Sequence, residues 1–397
     1  MRFKISYILF FVLALLYSSV RVFGGLTPRN LVTVYMFIIC FWEDRRLYWD
    51  KWLTLYSIFV FFFGLSSAIT GYLTPFLRRL IGFYFVAYVG YWSTIILAKK
   101  YNALPMLAKL FIFIGLLDAF FTIGQFFNIS FITSLPPALG IIVDDSILDS
   151  LDTGDEAFGL SLPGIMATDV YNGYFLMVVG ILSLYFLKGG FKFIALVPWG
   201  VSVVASFMVQ QRGPFYILVL LSMFMLYRTL AQSKSKFKVA IIMILLFALP
   251  FAAEFFIDYL MSGDSRFNIG LASTNRDIIF QQCLTYINDH ILLGGYYQSK
   301  LAPHNQILSA WIMGGLVGVV IILWMVVSQS ILSIKLAFSR ITESSFVYIV
   351  FSLAFLGFTM NSMLHNAGII SGDLVLWILW GVIKDVKISK RSLARTY

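Results

Sequence analysis

Residues 305–327 read NQILSAWIMGGLVGVVIILWMVV, twenty-three positions without one charged side chain. As a helix rising about 1.5 Å per residue this stretch is roughly 34 Å long, enough to cross about 30 Å of hydrocarbon. It therefore predicts a membrane-spanning helix. Ala302-Pro303-His304-Asn305-Gln306 stands at its start, and a proline just ahead of an apolar run is a helix-start signal. Gly314-Gly315-Leu316-Val317-Gly318 inside it reads as close helix packing, because no strand precedes it as a phosphate loop would require.

The rest of the chain has the same character. Of its 397 residues 60% are hydrophobic and 12% charged, with mean hydropathy +0.88. Soluble domains carry roughly 45–50% apolar and about 25% charged residues, so a water-soluble globule is excluded. The 40 Phe, 21 Tyr and 9 Trp exclude a disordered chain. Apolar runs between polar breaks predict helices near 5–23, 30–42, 52–71, 80–98, 110–127, 169–187, 191–209, 214–230, 239–257, 305–327, 345–363 and 368–383. The expected fold is all-α: a polytopic transmembrane bundle of about twelve spans, forming one integral membrane domain over 1–397. The first run follows Met1-Arg2-Phe3-Lys4 but is long for a signal peptide and lacks a small-residue cleavage site, so it reads as a retained span.

Net charge +10 invites a nucleic-acid reading, which the distribution of the charge answers. With the N-terminus inside, Arg21, Arg29, Arg78, Arg79, Arg212, Arg266, Arg276 and Lys300 fall outside, leaving 21 of the 29 basic residues inside. That is the positive-inside pattern with both termini cytoplasmic, and it accounts for the charge without nucleic acid. Arg78-Arg79 is the one pair against the trend. Cys40 and Cys283 then lie on opposite sides, which excludes a disulfide scaffold.

Two outer loops exceed what connection requires, near 128–168 and 258–304. The first is acidic. In the second, Ser273-Thr274-Asn275 are N-cap types, and Ile278, Ile279, Cys283, Leu284 and Ile287 recur at near-helical spacing before Gly294-Gly295. This predicts an amphipathic helix lying at the membrane surface. Arg276 falls in its first turn, where the helix dipole disfavours a cation, so either Asp277 or an anionic ligand compensates it. His304 is placed at the outer start of the tenth span, where the same dipole keeps an imidazole neutral; it fits either a proton acceptor or a cap-bonding histidine. Gln210-Gln211-Arg212-Gly213-Pro214 interrupts a long apolar stretch, and Arg212 there either holds a ligand, for which its fork suits phosphate, or snorkels to the interface. Asp118, well inside the fifth run, is either a functional carboxylate or an internal hydrogen-bonding partner. His365-Asn366 reads as packing or rim, and His290 as an exposed loop residue.

The three histidines stand far apart, no H-x-x-H or C-x-x-C spacing occurs, and no Walker, dinucleotide or G-x-S-x-G motif is present. No internal repeat of fixed period is visible, which weakens an inverted-repeat transporter.

Taken in order, Arg212-Gly213, then Arg276 through Ile287, then Ile291-Leu292-Leu293-Gly294-Gly295, then His304-Asn305 through Gly318 resemble the O-antigen polymerase and O-antigen ligase superfamily. The resemblance covers about 120 residues of motif and the twelve-span layout. It implies a glycosyltransferase of the bacterial inner membrane that moves a glycan from undecaprenyl diphosphate to a sugar hydroxyl at the periplasmic face, with inversion, no metal and no cofactor. In that reading Arg212 and Arg276 hold the diphosphate, His304 takes the acceptor proton, Asn305 orients the substrate and Asp118 contributes to binding. Donor and acceptor are undecaprenyl-diphosphate-linked oligosaccharides, membrane lipids surround the chain, and a chain-length regulator is a further expected partner. A polymerase is favoured; a ligase acting on lipid A core is the alternative, and a lipid-linked oligosaccharide flippase is the alternative of another class. A flippase places ionisable groups near the midplane, whereas the informative Arg and His of this chain are expected at the outer rim.

Overall fold

The computed structural model describes residues 5–17, 27–141, 162–166, 168–188, 196–209, 211–232, 276–301, 303–340, 342, 345–363, 368–384 and 386. Among these residues every regular element is a helix and no strand occurs. Five helices are long and apolar enough to cross a membrane: Lys51–Ile69 (19 residues), Leu73–Lys99 (27), Leu104–Phe126 (23), Asp169–Leu187 (19) and Gln306–Ala337 (32). Shorter apolar helices cover Ile5–Leu16, Val197–Met208, Phe346–Ser362 and Leu374–Ile383. The chain is an all-helical membrane protein, since a soluble core does not require helices of this length and uniform apolarity.

In chain order α1 is Ile5–Leu16, α2 Pro28–Asp44, α3 Lys51–Ile69, α4 Leu73–Lys99 and α5 Leu104–Phe126. Then come α6 Ser130–Ala138, α7 Asp169–Ser183, α8 Val197–Met208 and α9 Arg212–Gln232. Last are α10 Arg276–Asp289, α11 Gln306–Ala337, α12 Phe346–Ser362 and α13 Leu374–Ile383. The runs expected at 5–23 and 191–209 are helical over Ile5–Leu16 and Val197–Met208, and the run at 239–257 lies outside the described residues. The run at 368–383 is not one helix: a 3₁₀ turn over Ile369–Ser371 precedes α13, and Gly372 at φ 67° separates them. The run at 305–327 extends to Ala337.

Two compact units divide the chain. The first comprises 1–110, 274–340 and 347–397, and the second 111–273 and 341–346. In the first, α2 starts at Thr27, whose hydroxyl accepts from the Asn30 amide at 3.2 Å with Pro28 at the first helical position. Asp50 caps α3 by accepting from the Trp52 and Leu53 amides at 3.0 and 3.1 Å. α13 packs on α4 at glycines: a Cβ on Gly90 would lie 2.3 Å from the Leu374 side chain, and one on Gly381 3.1 Å from the Tyr91 carbonyl. All ten residues of α13 are buried, and Trp377 stacks on Trp380 at 5.6 Å. Cys40 and Cys283 are free thiols.

In the second unit the end of α5 packs with α7 and α8 around Ala119, Leu162, Leu176, Ala205 and Val209, and α9 packs on α7 and α8. α7 is buried continuously from Asn172 to Ser183. Gly115 and Gly180 give it room, for Cβ atoms there would meet Val179 at 2.2 Å and Leu218 at 2.6 Å. The acidic stretch of the loop expected over 128–168 lies at 142–161, outside the described residues. On either side of it lie α6 and a buried segment Leu162–Met166.

Candidate functional site

The start of α11 is built by its own sequence. Pro303 is buried, His304 adopts a left-handed backbone (φ 48°), and Asn305 is extended. The Asn305 side-chain oxygen accepts from the Ile307 and Leu308 amides at 2.9 and 3.1 Å, so Asn305 is the N-cap and His304 stands one residue ahead of the helix. Asn305 Nδ2 donates to the Met363 carbonyl at 3.0 Å, which fixes the cap to the end of α12. A non-glycine residue in the left-handed region is uncommon, histidine being one of the more tolerant types, and such a conformation persists where its surroundings over-determine it. Here the proline before and the doubly anchored cap after leave His304 little choice. Its side chain is half-buried.

More than two turns further in, α11 is broken. Gly315 has φ 61° and ψ −157° inside an otherwise helical run. A break of this kind orphans backbone groups that hydrocarbon cannot satisfy. The turn after α10 satisfies them: Gly295 N donates to the Ile312 carbonyl at 2.7 Å, and Leu316 N donates to the Ile291 carbonyl at 2.9 Å. The indole of Trp311 donates to the same Ile291 carbonyl at 3.2 Å. Both approaches need glycine. A Cβ on Gly294 (φ 66°) would lie 2.4 Å from the Ile312 oxygen, and one on Gly315 1.9 Å from the Leu292 oxygen. Thus Gly294 and Gly315, one from each glycine pair of the sequence, are halves of one contact.

That contact docks α10. Cys283 and Ile287 bury against Ile312, with Ile279, Tyr286, Tyr296, Leu301, Leu308 and Trp311 packed around them. Ile278 and Leu284, expected on the same apolar stripe, are exposed at 50% and 41%, so the helix presents apolar surface on two sides. Burial pushes the Cys283 thiol above its ordinary range. His290, expected as an exposed loop residue, is half-buried: its ring stacks on Tyr286 at 4.2 Å and its Nδ1 lies 3.1 Å from the Tyr286 carbonyl. His365-Asn366 lies outside the described residues.

Arg276 is the first residue of α10, so Arg276, His304 and Asn305 all belong to the first unit. Arg212 and Asp118 belong to the second. Arg212 opens α9 and is half-buried; beside it, Gln211 Nε2 donates to the Asp169 carboxylate at 3.0 Å. Asp118 is fully buried, and its Oδ1 accepts from the Ile165 amide at 2.9 Å. Around it Gln125 exchanges two 2.9 Å bonds with the backbone of Gly164, while Asn172 Nδ2 donates to Thr122 Oγ1 at 2.9 Å and to the Leu162 carbonyl at 2.6 Å. Asp118 therefore anchors the Leu162–Met166 segment. Gly164, at φ 60°, is the close-approach point, where a Cβ would meet Asp118 Oδ1 at 2.2 Å.

In the sequence, Arg79 stands out only as one of the pair against the charge trend. The structure puts it at the end of the first unit formed by the start of α4 and by Tyr296-Tyr297, ahead of α11. Its guanidinium lies 5.9 Å from the Phe63 ring centroid and 5.4 Å from that of Tyr296, with the hydroxyls of Tyr84, Tyr296 and Tyr297 in reach. The available signal was a basic residue at the edge of an apolar run on the side that the charge rule leaves poor in cations. At the other end of this unit Lys384, just past α13, pairs with Asp50, and Tyr91 donates to the same carboxylate at 2.7 Å.

The fold and these contacts define an all-helical membrane protein with a glycine-broken helix, headed by a histidine and braced by the docked helix α10. No family model matches the chain, and no curated protein matches it.

Proposed function

We propose that this chain is a glycosyltransferase that joins oligosaccharide repeat units carried on undecaprenyl diphosphate, at the periplasmic face of the bacterial inner membrane. The observation that carries the reading is the position of His304. It stands immediately ahead of a capped, glycine-broken helix, and the helix that begins at Arg276 packs on that same element. An imidazole beside a helix N-terminus is favoured in its neutral, proton-accepting form.

In this reading the acceptor hydroxyl oxygen attacks the anomeric carbon of the donor while its proton passes to the imidazole of His304. The bond from that carbon to the diphosphate oxygen breaks, the electron pair leaves with the diphosphate, and the configuration inverts. Arg276 offsets the charge that develops on the leaving group, since charge-assisted bonds from a guanidinium fork suit phosphate oxygens. The lipid diphosphate is already activated, so no nucleotide is consumed.

The test is His304→Ala in cells and in purified protein. Glycan transfer is expected to fall by about 10²–10⁴-fold, the usual contribution of a general base, with normal expression and retained binding of the lipid donor. Full activity in that variant overturns the reading. Loss of polymer length ladders on deletion marks a polymerase, whereas intact lipid-linked polymer with undecorated lipid A core marks a ligase.

A further inference from the structure

Arg79 carries a charge at one end of a candidate span, Leu73–Lys99, where an uncompensated cation is costly. Among the described residues no carboxylate stands against it. The nearby Asp373 is set beside Arg29 instead, and caps α13 through the Val375 and Leu376 amides. What surrounds Arg79 is aromatic and hydroxylic. Its Nε is buried without a hydrogen-bond partner.

The cage is held rigidly. Tyr297 is sandwiched between Phe63, stacked at 5.7 Å, and Tyr72, stacked at 5.9 Å. Tyr296 sits edge-on to Phe63 at 5.9 Å and belongs to the apolar cluster that docks α10 on α11. Tyr84 spends its own hydroxyl proton on the Ile370 carbonyl at 3.0 Å, so it offers Arg79 only lone pairs. The result is a fixed cation on α4 with no carboxylate against it among the described residues, beside hydroxyls carried by the segment that leads to His304. A guanidinium preorganised on aromatic faces among hydroxyl groups, with its Nε–H unbonded, is complementary to a tetrahedral oxyanion.

We infer that Arg79, with the hydroxyls of Tyr296 and Tyr297, forms a phosphate-binding element of this protein. The inference extends the proposed function, because a diphosphate-linked donor brings such a group to the same unit; the phosphate of an ordinary phospholipid headgroup has the same chemistry.

The experiment is native mass spectrometry of the delipidated full-length protein in detergent, titrated separately with undecaprenyl diphosphate and with phosphatidylglycerol. Arg79→Gln is expected to weaken undecaprenyl diphosphate binding about tenfold or more, and Arg79→Lys, which keeps the charge but loses the fork, about threefold. Loss confined to phosphatidylglycerol identifies the ligand as a lipid headgroup and keeps the phosphate site. Unchanged binding of both lipids by folded Arg79→Gln overturns the inference. Should that variant fail to fold, the double variant Tyr296→Phe, Tyr297→Phe preserves the rings; about fivefold weaker binding supports the site, and unchanged binding overturns it. Full glycan transfer by His304→Ala alongside weakened lipid binding by Arg79→Gln removes the proposed function alone, and the opposite pair of results removes this inference alone.

Discussion

Gly315 lies so close to Leu292 that a Cβ built on it would stand 1.9 Å from the Leu292 carbonyl oxygen. The contact joins two segments that the sequence separates by a turn, a short helix and the capped start of α11. It also explains why α11 tolerates a break: the backbone groups released at Gly315 are taken up by residues 291–295. Gly315→Ala must therefore both strain a left-handed backbone and push the turn out of the break. Expected is a loss of about 3 kcal/mol, read as a lower thermal midpoint of the purified protein. Gly200→Ala is the control, for nothing lies within 4 Å of a Cβ there and alanine favours the helix. Equal midpoints for Gly315→Ala and wild type would sink this account of the break.

Asn305 spends its side chain on structure, with its oxygen on two amides and its nitrogen on Met363. Asn305→Ala is expected to cost about 1–2 kcal/mol through the lost cap alone. Asn305→Asp keeps the acceptor and should recover most of it. If Asn305→Asp restores stability but not glycan transfer, the amide has a role beyond the cap; recovery of both means it positions His304 and nothing more.

Asp118 separates a binding role from a structural one. Asp118→Asn retains an oxygen for the Ile165 amide and removes a buried carboxylate whose Oδ2 has no hydrogen-bond partner, so stability should be equal to or above wild type. Asp118→Ala leaves the Ile165 N–H buried and unpaired, at about 1–3 kcal/mol. Chemical denaturation of both variants checks the order. A stable Asp118→Asn that has lost glycan transfer would instead assign the carboxylate to the substrate.

The Asp50–Lys384 pair sets a pH dependence. Burial by itself would raise the Asp50 carboxyl. Hydrogen bonds from Lys384, the Leu53 amide and Tyr91, with the charge of Lys384, outweigh it and hold the group below its ordinary range. A carboxyl lowered by folding stabilises in full above its unfolded pKa of about 3.9 and loses that contribution as pH falls through the lower folded value. The thermal midpoint should thus be flat from pH 7 to about 5 in this respect and fall below about 4. Asp50→Asn, which leaves the buried Lys384 without its carboxylate, should cost about 3–5 kcal/mol at pH 7 and flatten the acid limb. An acid limb as steep in Asp50→Asn as in wild type would assign the dependence to other groups.

Much of this was legible in the sequence because membrane insertion is decided locally. An uninterrupted apolar run such as 305–327 has one favourable fate in a bilayer, and Pro303 and Asn305 mark where its helix opens whatever packs around it. Helical pattern likewise showed in 276–289. What the residues could not disclose is pairing across the chain. Gly294 and Gly315 each looked like an ordinary turn or packing glycine, since a close backbone approach exists only once both partners are placed. Asp118 reads equally as a ligand or an anchor until Ile165 is set against it, and nothing local to Arg79 points to Tyr296 and Tyr297, which the fold brings to it. Composition and periodicity fix the solvent each helix prefers; which polar groups meet depends on three-dimensional closure, where one hydrogen bond or one missing methyl decides between alternatives of nearly equal hydropathy.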